Sequence, residues 1–145
     1  MITYRDLKPD NQDQVIALYQ AVGWTYYAIV PDDLMRALHN SAYVISAYHH
    51  DQLVGLIRGL SDGVSVHFIQ DLLVHPEHQR CGIGRTLLNK AMALYANVYK
   101  HILLTDNEIF QKRIYESLEF KNLNLIEPKL NVYIKLSDDE SYIRQ

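Results

Sequence analysis

The sequence predicts an α/β fold of mixed (α+β) type, with a central mixed, mostly antiparallel, twisted sheet of six to seven strands flanked by about four helices. Two observations carry this prediction. Residues 43–74 contain three apolar segments of strand-like composition separated by polar turns, which is typical of an antiparallel meander. Residues 68–105 then contain a strand, an amphipathic helix and a second apolar strand, which together indicate a βαβ unit with parallel strands.

The first part of the chain predicts one strand and two helices. Residues 2–5 alternate weakly and indicate a short strand. Residues 9–11 have the composition of a helix start, and Gly23 is a natural stop for the helix that follows. Pro31 begins a second short helix, which should end near Asn40.

An aromatic cluster follows the first helix and has two interpretations. Trp24 and the nearby tyrosines, at 26 and 27, are large amphipathic rings that could wall a binding cleft. Alternatively, Trp24 covers the core beneath the helix. The residues alone leave both interpretations open.

The second half of the chain predicts the remaining elements. Apolar residues at helical spacing indicate a helix that begins near Arg85, and the nearly continuous apolar run 101–105 indicates a strand covered on both faces. A further helix is predicted over 108–118, and the alternating segment 129–136 predicts a closing strand. Because that strand would be exposed, it could pair between subunits, so a homodimer is possible.

Composition limits the class of protein. The chain has 145 residues, of which 48% are hydrophobic and 21% are charged, which favours one soluble domain over residues 1–145. A formal net charge of −3 argues against nucleic acid as the main partner. No segment approaches the roughly 20 apolar residues that a membrane span needs, and the N-terminus lacks a signal-peptide pattern. We therefore expect a cytoplasmic protein without membrane association.

Cysteine and histidine usage gives no support for a metal site. Cys81 is the single cysteine, so no internal disulfide can form, and no Cys/His spacing typical of zinc sites is present. The adjacent His49 and His50 lie in a predicted hairpin, where neighbouring side chains should point to opposite faces. We therefore expect a solvated turn and no bound metal.

The segment with the clearest chemistry is the turn Gln79–Arg85, between a predicted strand and a predicted helix. Its two glycines let the main chain approach a ligand closely, and the first amides of the helix have no internal partner. These amides and the helix dipole favour an anion, and Arg80 and Arg85 add positive charge beside it. A glycine turn alone has the simpler explanation of backbone geometry, but its position between strand and helix favours phosphate binding.

Two segments resemble the GNAT superfamily of acetyl-CoA-dependent N-acetyltransferases. The end of the strand and the turn, Leu72–Gly84, match the pattern L-x-V-x-P followed by Gln/Arg-x-x-Gly-x-Gly/Ala of its acyl-CoA-binding motif. Downstream, Ile114–Phe120 resembles the L-Y-x-x-x-G-F helix end of the same family. The order of predicted elements also matches over nearly the whole chain.

The resemblance implies a role for particular residues toward acetyl-CoA. Backbone amides of the loop Arg80, Cys81, Gly82, Ile83, Gly84 and Arg85 would wrap the pyrophosphate. The main chain of Leu72, Leu73 and Val74 would pair with the pantetheine arm, and an N–H of the same strand would polarise the thioester carbonyl.

Tyr115 matches the tyrosine that is proposed to protonate the departing thiolate in this family. A phenol with a pKa of about 10 is suited to that transfer. Alternatively, Tyr115 only packs in the core and contacts the cofactor. The residues alone leave both roles open.

The resemblance implies direct attack of an amine, with substrate binding expected at Trp24 and Gln70. Relatives such as polyamine acetyltransferases have Glu where this chain has Gln70, and Gln cannot act as a base. Asp71 is adjacent, but only one of two neighbouring strand residues can line the cleft directly. Water relayed through Gln70 or His67 would serve instead, so no base is assigned.

Two further positions depart from the family pattern. Glu108, preceded by Asn107, stands where some relatives have a cofactor-contacting Asn, and Glu119 replaces the usual Gly of the helix end, so that helix could end differently.

The alternative function is a non-catalytic domain that binds acyl-CoA as a sensor or docking module. A nucleotide-phosphate enzyme is disfavoured because the Walker lysine and serine are absent after the glycines.

Overall fold

The computed structural model describes residues 1–6, 9–105, 109–127 and 130–136. These residues fall into two compact units, the first comprising Met1–Leu104 and the second beginning at Thr105. The prediction of one domain over residues 1–145 is not tested by this division and stays a prediction. No helix in the described ranges has the length and apolar character needed to cross a membrane.

Among the described residues, the first unit contains a sheet with helices on both faces, and the second contains one α-helix. In chain order the elements are β1 (Ile2–Arg5), α1 (Gln12–Ala21), α2 (Tyr26–Ile29), α3 (Pro31–Asn40), β2 (Tyr43–His49), β3 (Gln52–Ser61), β4 (Val66–Val74), α4 (Ile83–Leu94), β5 (Lys100–Leu103) and α5 (Ile109–Ser117). Short 3₁₀ turns occupy Pro76–His78 and Leu123–Leu125.

The sheet is mixed and mostly antiparallel, as predicted. Its strands follow the order β1-β2-β3-β4-β5. The first three pairings are antiparallel, and β4 pairs with β5 in parallel. Among the described residues there are five strands and five α-helices. The prediction of six to seven strands was therefore too high, and the prediction of about four helices missed α2.

The predicted closing strand is not formed within residues 130–136. An alternating sequence forms a strand only where a neighbouring strand supplies hydrogen bonds and one face is buried. Here Val132 and Ile134 are 61% and 65% exposed, and Tyr133, which would lie on the other face of the predicted strand, is 92% exposed. The homodimer prediction depended on this strand and is untested. Asn107, Glu108 and Lys129 lie outside the described residues.

The early helices begin and end where their capping residues predict. The side chain of Asn11 accepts a hydrogen bond from the Gln14 amide at 3.1 Å and so caps α1. Gly23 follows this helix with a φ of +85°. Pro31 occupies the first turn of α3, where its missing N–H has no helical partner to lose.

Each face of the sheet has its own apolar layer. On one face, residues of α1 and α3 pack against β2, β3 and β4 in a buried cluster of Val15, Leu18, Tyr19, Leu34, Leu38, Val44, Leu53, Leu56 and Leu73. On the other face, α4 lies so close to β3 that a Cβ added at Gly55 would be 3.1 Å from Ile83. The Gly82 turn is therefore held against the sheet by the buried first residue of α4.

Candidate active site

The edge of β4 opens beyond the point where β5 ends. The parallel register runs from Val66 opposite Lys100 to Ile69 opposite Leu103, where β5 stops. β4 continues to Val74, so within the described residues the stretch 70–74 has no strand on that side. Backbone groups along a free strand edge can pair with an extended, amide-containing ligand.

A β-bulge lies where this open stretch begins. In the pairing of β3 with β4, Arg58 is opposite Asp71, but the next residue, Gly59, is opposite Ile69. Gln70 is therefore the extra residue in β4, and its side chain is exposed. Because a bulge breaks the regular ladder and redirects the chain, it can present backbone groups that a flat strand would bury in pairing.

The glycine turn connects the end of β4 to α4 through two residues in the left-handed region. Arg80 has a φ of +64° and Gly82, which precedes α4, has a φ of +85°. No side chain caps the helix at Gly82. Arg80 and Arg85 are exposed. An exposed helix N-terminus that is flanked in the sequence by two arginines is suited to a phosphate anion.

Hydrogen bonds brace the turn from both ends. The Gln79 side-chain amide donates to the Val74 carbonyl at 3.0 Å, which ties the turn to the open β4 edge. The Thr86 hydroxyl donates to the Gly82 carbonyl at 2.9 Å. Cys81 is exposed, and its thiol lies 3.5 Å from the Gln79 carbonyl. The structure thus brings together two groups of predicted binding residues, the loop at 80–85 and the strand end at 72–74.

A buried ion pair lies beneath the bulge. Arg58 Nε donates to Asp71 Oδ2 at 2.6 Å, and the Tyr19 hydroxyl donates to the same oxygen at 2.9 Å. Both charged side chains are 7% exposed. Burial acts to lower the pKa of Arg58, but Asp71 and the nearby tyrosines outweigh it and raise that pKa above its usual range. Asp71 is therefore engaged within the protein, unlike the exposed Gln70.

This network was not predicted from the sequence, although the sequence contains a signal for it. Arg58 is the one charged residue in the apolar strand Leu53–Leu60, and Asp71 interrupts the apolar run that ends at Val74. Charged residues in strands buried on both faces are rarely left unpaired. Arg58 and Asp71 lie within two adjacent strands, so they predict a cross-strand ion pair once the register of those strands is known.

The aromatic cluster after α1 is connected to this ion pair. Tyr19 contacts Trp24 at a ring-centroid distance of 5.9 Å and Tyr27 at 5.2 Å. Trp24 is half-buried and packs against the apolar cluster beneath α1. This contact supports the interpretation that Trp24 covers the core, and its role toward a substrate stays a prediction.

A second buried polar network lies on the α4 face of the sheet. His67 is fully buried, with Nε2 at 2.6 Å from the Tyr43 hydroxyl and Nδ1 at 2.9 Å from Nδ1 of His101. The ring of Tyr95, at the end of α4, stacks on His67 at 4.7 Å. Burial, and then the neighbouring His101, lower the pKa of His67 to about 4. His67 is thus neutral near pH 7 and hydrogen-bonded at both ring nitrogens.

The His49–His50 turn departs from the predicted arrangement. The two rings lie together, with centroids 4.4 Å apart, instead of pointing to opposite faces. The reason is that His50 has a φ of +51°, which breaks the alternation of an extended strand. His78 also lies 5.2 Å from His49. In the ranges described, no group of three or more metal-binding side chains is arranged to hold an ion.

Tyr115 belongs to the second unit and is half-buried on α5. Its ring lies edge-on to Phe120 at 6.0 Å, and its carbonyl accepts from the Phe120 amide at 3.0 Å. Glu119 has a φ of +68°, the left-handed conformation usually taken by glycine after a helix. The expectation of a different helix end was therefore wrong, because Glu119 tolerates that conformation.

Comparison with known proteins agrees with this architecture. Residues 15–120 match the family described as the acetyltransferase (GNAT) family. The structure of a GNAT family acetyltransferase from Streptococcus pneumoniae is 34% identical, has a TM-score of 0.80, and aligns over 94% of this chain and 100% of that one. An aminoglycoside acetyltransferase from an uncultured soil sample, in complex with sisomicin, shares the fold at 19% identity, with a TM-score of 0.65 over 94% of this chain and 97% of that chain.

A relative from Prochlorococcus marinus, an uncharacterized N-acetyltransferase, is 33% identical over 76 residues, or 50% of this chain. The chain spans 41% of the length of that relative. The match to the family covers most of the chain, including β4, the glycine turn and α4. The chain therefore belongs to the GNAT family of acetyltransferases.

Proposed function

We propose that this protein transfers an acetyl group from acetyl-CoA to a primary amine of a small molecule, by direct attack of the amine on the thioester. One observation carries the proposal: the open edge of β4 leads, through a braced turn with Gly82 in the left-handed region, into the N-terminus of α4. A carrier with an amide-containing arm and a pyrophosphate matches these two features in that order.

The residues present fit such a carrier. The loop Arg80–Arg85 would hold the pyrophosphate through backbone amides, because the first amides of a helix point toward its N-terminus and no side chain caps α4 at Gly82. The main chain of Leu72, Leu73 and Val74 would pair with the pantetheine arm. A Cβ added at Gly82 would meet nothing within 4 Å, so the space beside the turn is open for a ligand.

Acetyl-CoA supplies an activated acetyl group as a thioester. In the transfer, the amine nitrogen bonds to the acetyl carbon as the carbon–sulfur bond breaks, the nitrogen loses a proton and the sulfur gains one. We propose that a backbone N–H at the Gln70 bulge stabilises the carbonyl oxygen. Preorganised donors of this type are worth roughly 3–4 kcal/mol in a dry site. Tyr115 is proposed to protonate the sulfur.

Proton removal from the amine is assigned to solvent. The Gln70 side chain has no basic group, and the Asp71 carboxylate is buried in hydrogen bonds to Arg58 and Tyr19. His67 is fully buried and bonded to Tyr43 and His101, so it does not reach solvent itself. A water molecule beside the exposed Gln70 is the simplest acceptor.

The acceptor is proposed to be a small amine that contacts Gln70 and the aromatic residues around Trp24. Aromatic faces attract ammonium groups through their quadrupole. The likeness to an aminoglycoside acetyltransferase concerns the fold, so aminoglycosides belong in a test panel beside polyamines, amino acids and peptides with a free N-terminus. A cytoplasmic location, with neither nucleic acid nor membrane as a partner, completes the proposal.

A binding module without turnover is the alternative, favoured by one observation. Neither Gln70 nor the engaged Asp71 offers a free carboxylate beside the bulge. Such a module would bind acetyl-CoA and would release no thiol with any amine.

Thiol release from acetyl-CoA across the amine panel, with calorimetric titration of CoA, distinguishes the two functions. We expect CoA to bind and at least one amine to stimulate thiol release. Binding without stimulated release by any amine would favour the module, and no binding of CoA would contradict both functions.

Tyr115→Phe tests the proposed acid. We expect kcat to fall at least tenfold, in the lower part of the range for general acid catalysis, with CoA affinity preserved. Tyr133→Phe is the matched control, since Tyr133 is 92% exposed and should show wild-type turnover. Wild-type kcat in Tyr115→Phe would assign Tyr115 to packing alone.

A further inference from the structure

A buried ion pair, which the proposed chemistry does not use, lies next to the bulge at Gln70. Asp71, which follows Gln70 directly, pairs with Arg58 on the opposite strand. We propose that Arg58 and Asp71 are positioning residues, which hold the Gln70 bulge in the one register that aims its backbone at the reacting carbonyl. This inference rests on the proposed acetyl transfer and adds to it the origin of the bulge geometry.

The register of β3 against β4 determines which residue faces Arg58. A bulge has one residue too many, so Arg58 could in principle face either Asp71 or Gln70. With Gln70 opposite, the buried guanidinium would lose its charged partner, which is strongly unfavourable in a site only 7% exposed. The short Nε to Oδ2 contact of 2.6 Å therefore selects the observed register.

The same oxygen is also bound from outside the sheet. The Tyr19 hydroxyl donates to Asp71 Oδ2 at 2.9 Å, and Tyr19 is fully buried on α1. Burial, and then Asp71, raise the pKa of Tyr19, which keeps the phenol protonated as a donor. The carboxylate is thus fixed by a neighbouring strand and by a helix, which restricts rotation of the peptide unit between Gln70 and Asp71.

The far side of the Arg58 guanidinium reaches the helices beside the predicted acceptor residues. Arg58 lies 3.4 Å from the Ser41 hydroxyl and 3.5 Å from the Tyr27 hydroxyl. Ser41 in turn donates to the Ala37 carbonyl in α3 at 2.7 Å. One side chain therefore links α2 and the end of α3 to the bulge.

A positioning role can be separated from a role in stability. Buried ion pairs replaced as a set by apolar residues of similar volume often leave a protein as stable as before. The apolar set here is Tyr19→Phe, Arg58→Met and Asp71→Leu combined, which removes every polar member of the carboxylate site together. If the ion pair only stabilises the fold, this triple variant should keep wild-type turnover whenever it folds.

The test measures kcat and KM for acetyl-CoA, the calorimetric Kd for CoA, and hydrogen exchange of the Gln70 amide. For the folded triple variant we expect kcat to fall about 10- to 100-fold, approaching the loss of one oxyanion donor, with Kd for CoA within about threefold. Exchange at Gln70 should accelerate relative to the Leu56 amide. The control variant, Asp33→Leu with Arg36→Met, removes an exposed pair and should match wild type.

A folded triple variant with wild-type kcat and unchanged Gln70 exchange would overturn the inference. If the triple variant does not fold, Asp71→Asn decides, because it keeps the shape of the side chain but removes the charge that distinguishes position 71 from Gln70, and wild-type kcat and exchange in it would equally overturn the proposal. If the wild-type protein transfers no acetyl group, the proposed function fails. The exchange measurement then still decides whether the ion pair fixes the bulge.

Discussion

Alanine at Gly82 and at Gly84 should have opposite effects, although each substitution adds one methyl group to the same loop. Gly82 has a φ of +85°, whereas Gly84 lies in the right-handed first turn of α4. An added Cβ meets nothing within 4 Å at Gly82, and at Gly84 it makes an ordinary contact of 3.8 Å with Val74. Any loss at Gly82 therefore comes from backbone strain and not from a clash.

The magnitudes follow from this difference in φ. A left-handed conformation costs alanine about 1–2 kcal/mol, and the stiffer unfolded chain returns about 0.4–1 kcal/mol, so Gly82→Ala should lose about 1 kcal/mol of stability. In a chain of this size that lowers Tm by about 4 °C. Gly84→Ala should instead gain about 0.5–1 kcal/mol, because alanine is the better helix former.

Binding should follow the same order. With alanine at position 82, the backbone of the free protein is expected to relax out of the left-handed region. Binding of CoA must then restore the left-handed conformation, which weakens the affinity by about tenfold. Gly84→Ala should bind CoA within about threefold of wild type. Calorimetric titration and thermal denaturation of both variants provide the measurement. Unchanged Tm and affinity in Gly82→Ala, or a larger loss in Gly84→Ala, would refute the assignment of the loop.

Three further predictions concern the sheet and the turn. Gly59→Ala should destabilise the protein by about 1–3 kcal/mol, because its Cβ would lie 2.6 Å from the Tyr43 hydroxyl and 2.8 Å from the Phe68 carbonyl, and an unchanged denaturation midpoint would contradict this packing. The pKa of His67 is lowered from 6.5 to about 4. The contribution of the neutral His67 ring to the free energy of unfolding, on the order of 3 kcal/mol, should therefore be complete above about pH 6.5 and be lost as the pH falls through 4. Between pH 7 and pH 4, the free energy of unfolding measured with denaturant should therefore fall less steeply in His67→Gln than in the wild-type protein. Equal slopes in the two proteins would exclude His67 as a source of the pH dependence. Cys81→Ala should leave CoA affinity and turnover nearly unchanged, since the thiol is exposed and lies 3.5 Å from the Gln79 carbonyl, and a large loss of transfer would show that the thiol participates.

Local sequence signals predicted most elements of the first unit. Asn11 and Pro31 mark helix starts that the structure confirms, and polar turns separate the strands of the meander. These signals act over a few residues, so the sequence alone displays them. The short helix α2 was missed because its four residues, Tyr26–Ile29, have no capping side chain and no apolar periodicity.

Features that depend on partners far along the chain were harder to predict. The alternation in residues 130–136 resembles a strand, but a strand also needs a neighbour, and the sequence does not show one. The Arg58–Asp71 pair joins residues on two strands, and the bulge that places them opposite each other is a property of register. The proposed binding loop could be inferred from the sequence because its glycines and arginines lie within six residues, whereas the network beneath Gln70 is assembled only by folding.

The stretch of β4 that extends beyond the end of β5 bears on how an acetyltransferase of this fold can change over evolutionary time. A carrier held by peptide groups makes no demand on which apolar side chain follows along the strand. Leu72 and Val74 are then limited only by how they fit their apolar surroundings, such as the close approach of Val74 to Gly84. If the proposed function holds, substitutions that reshape the acceptor side can accumulate without disturbing the donor, so new amine preferences can arise on an unchanged means of holding the acetyl source.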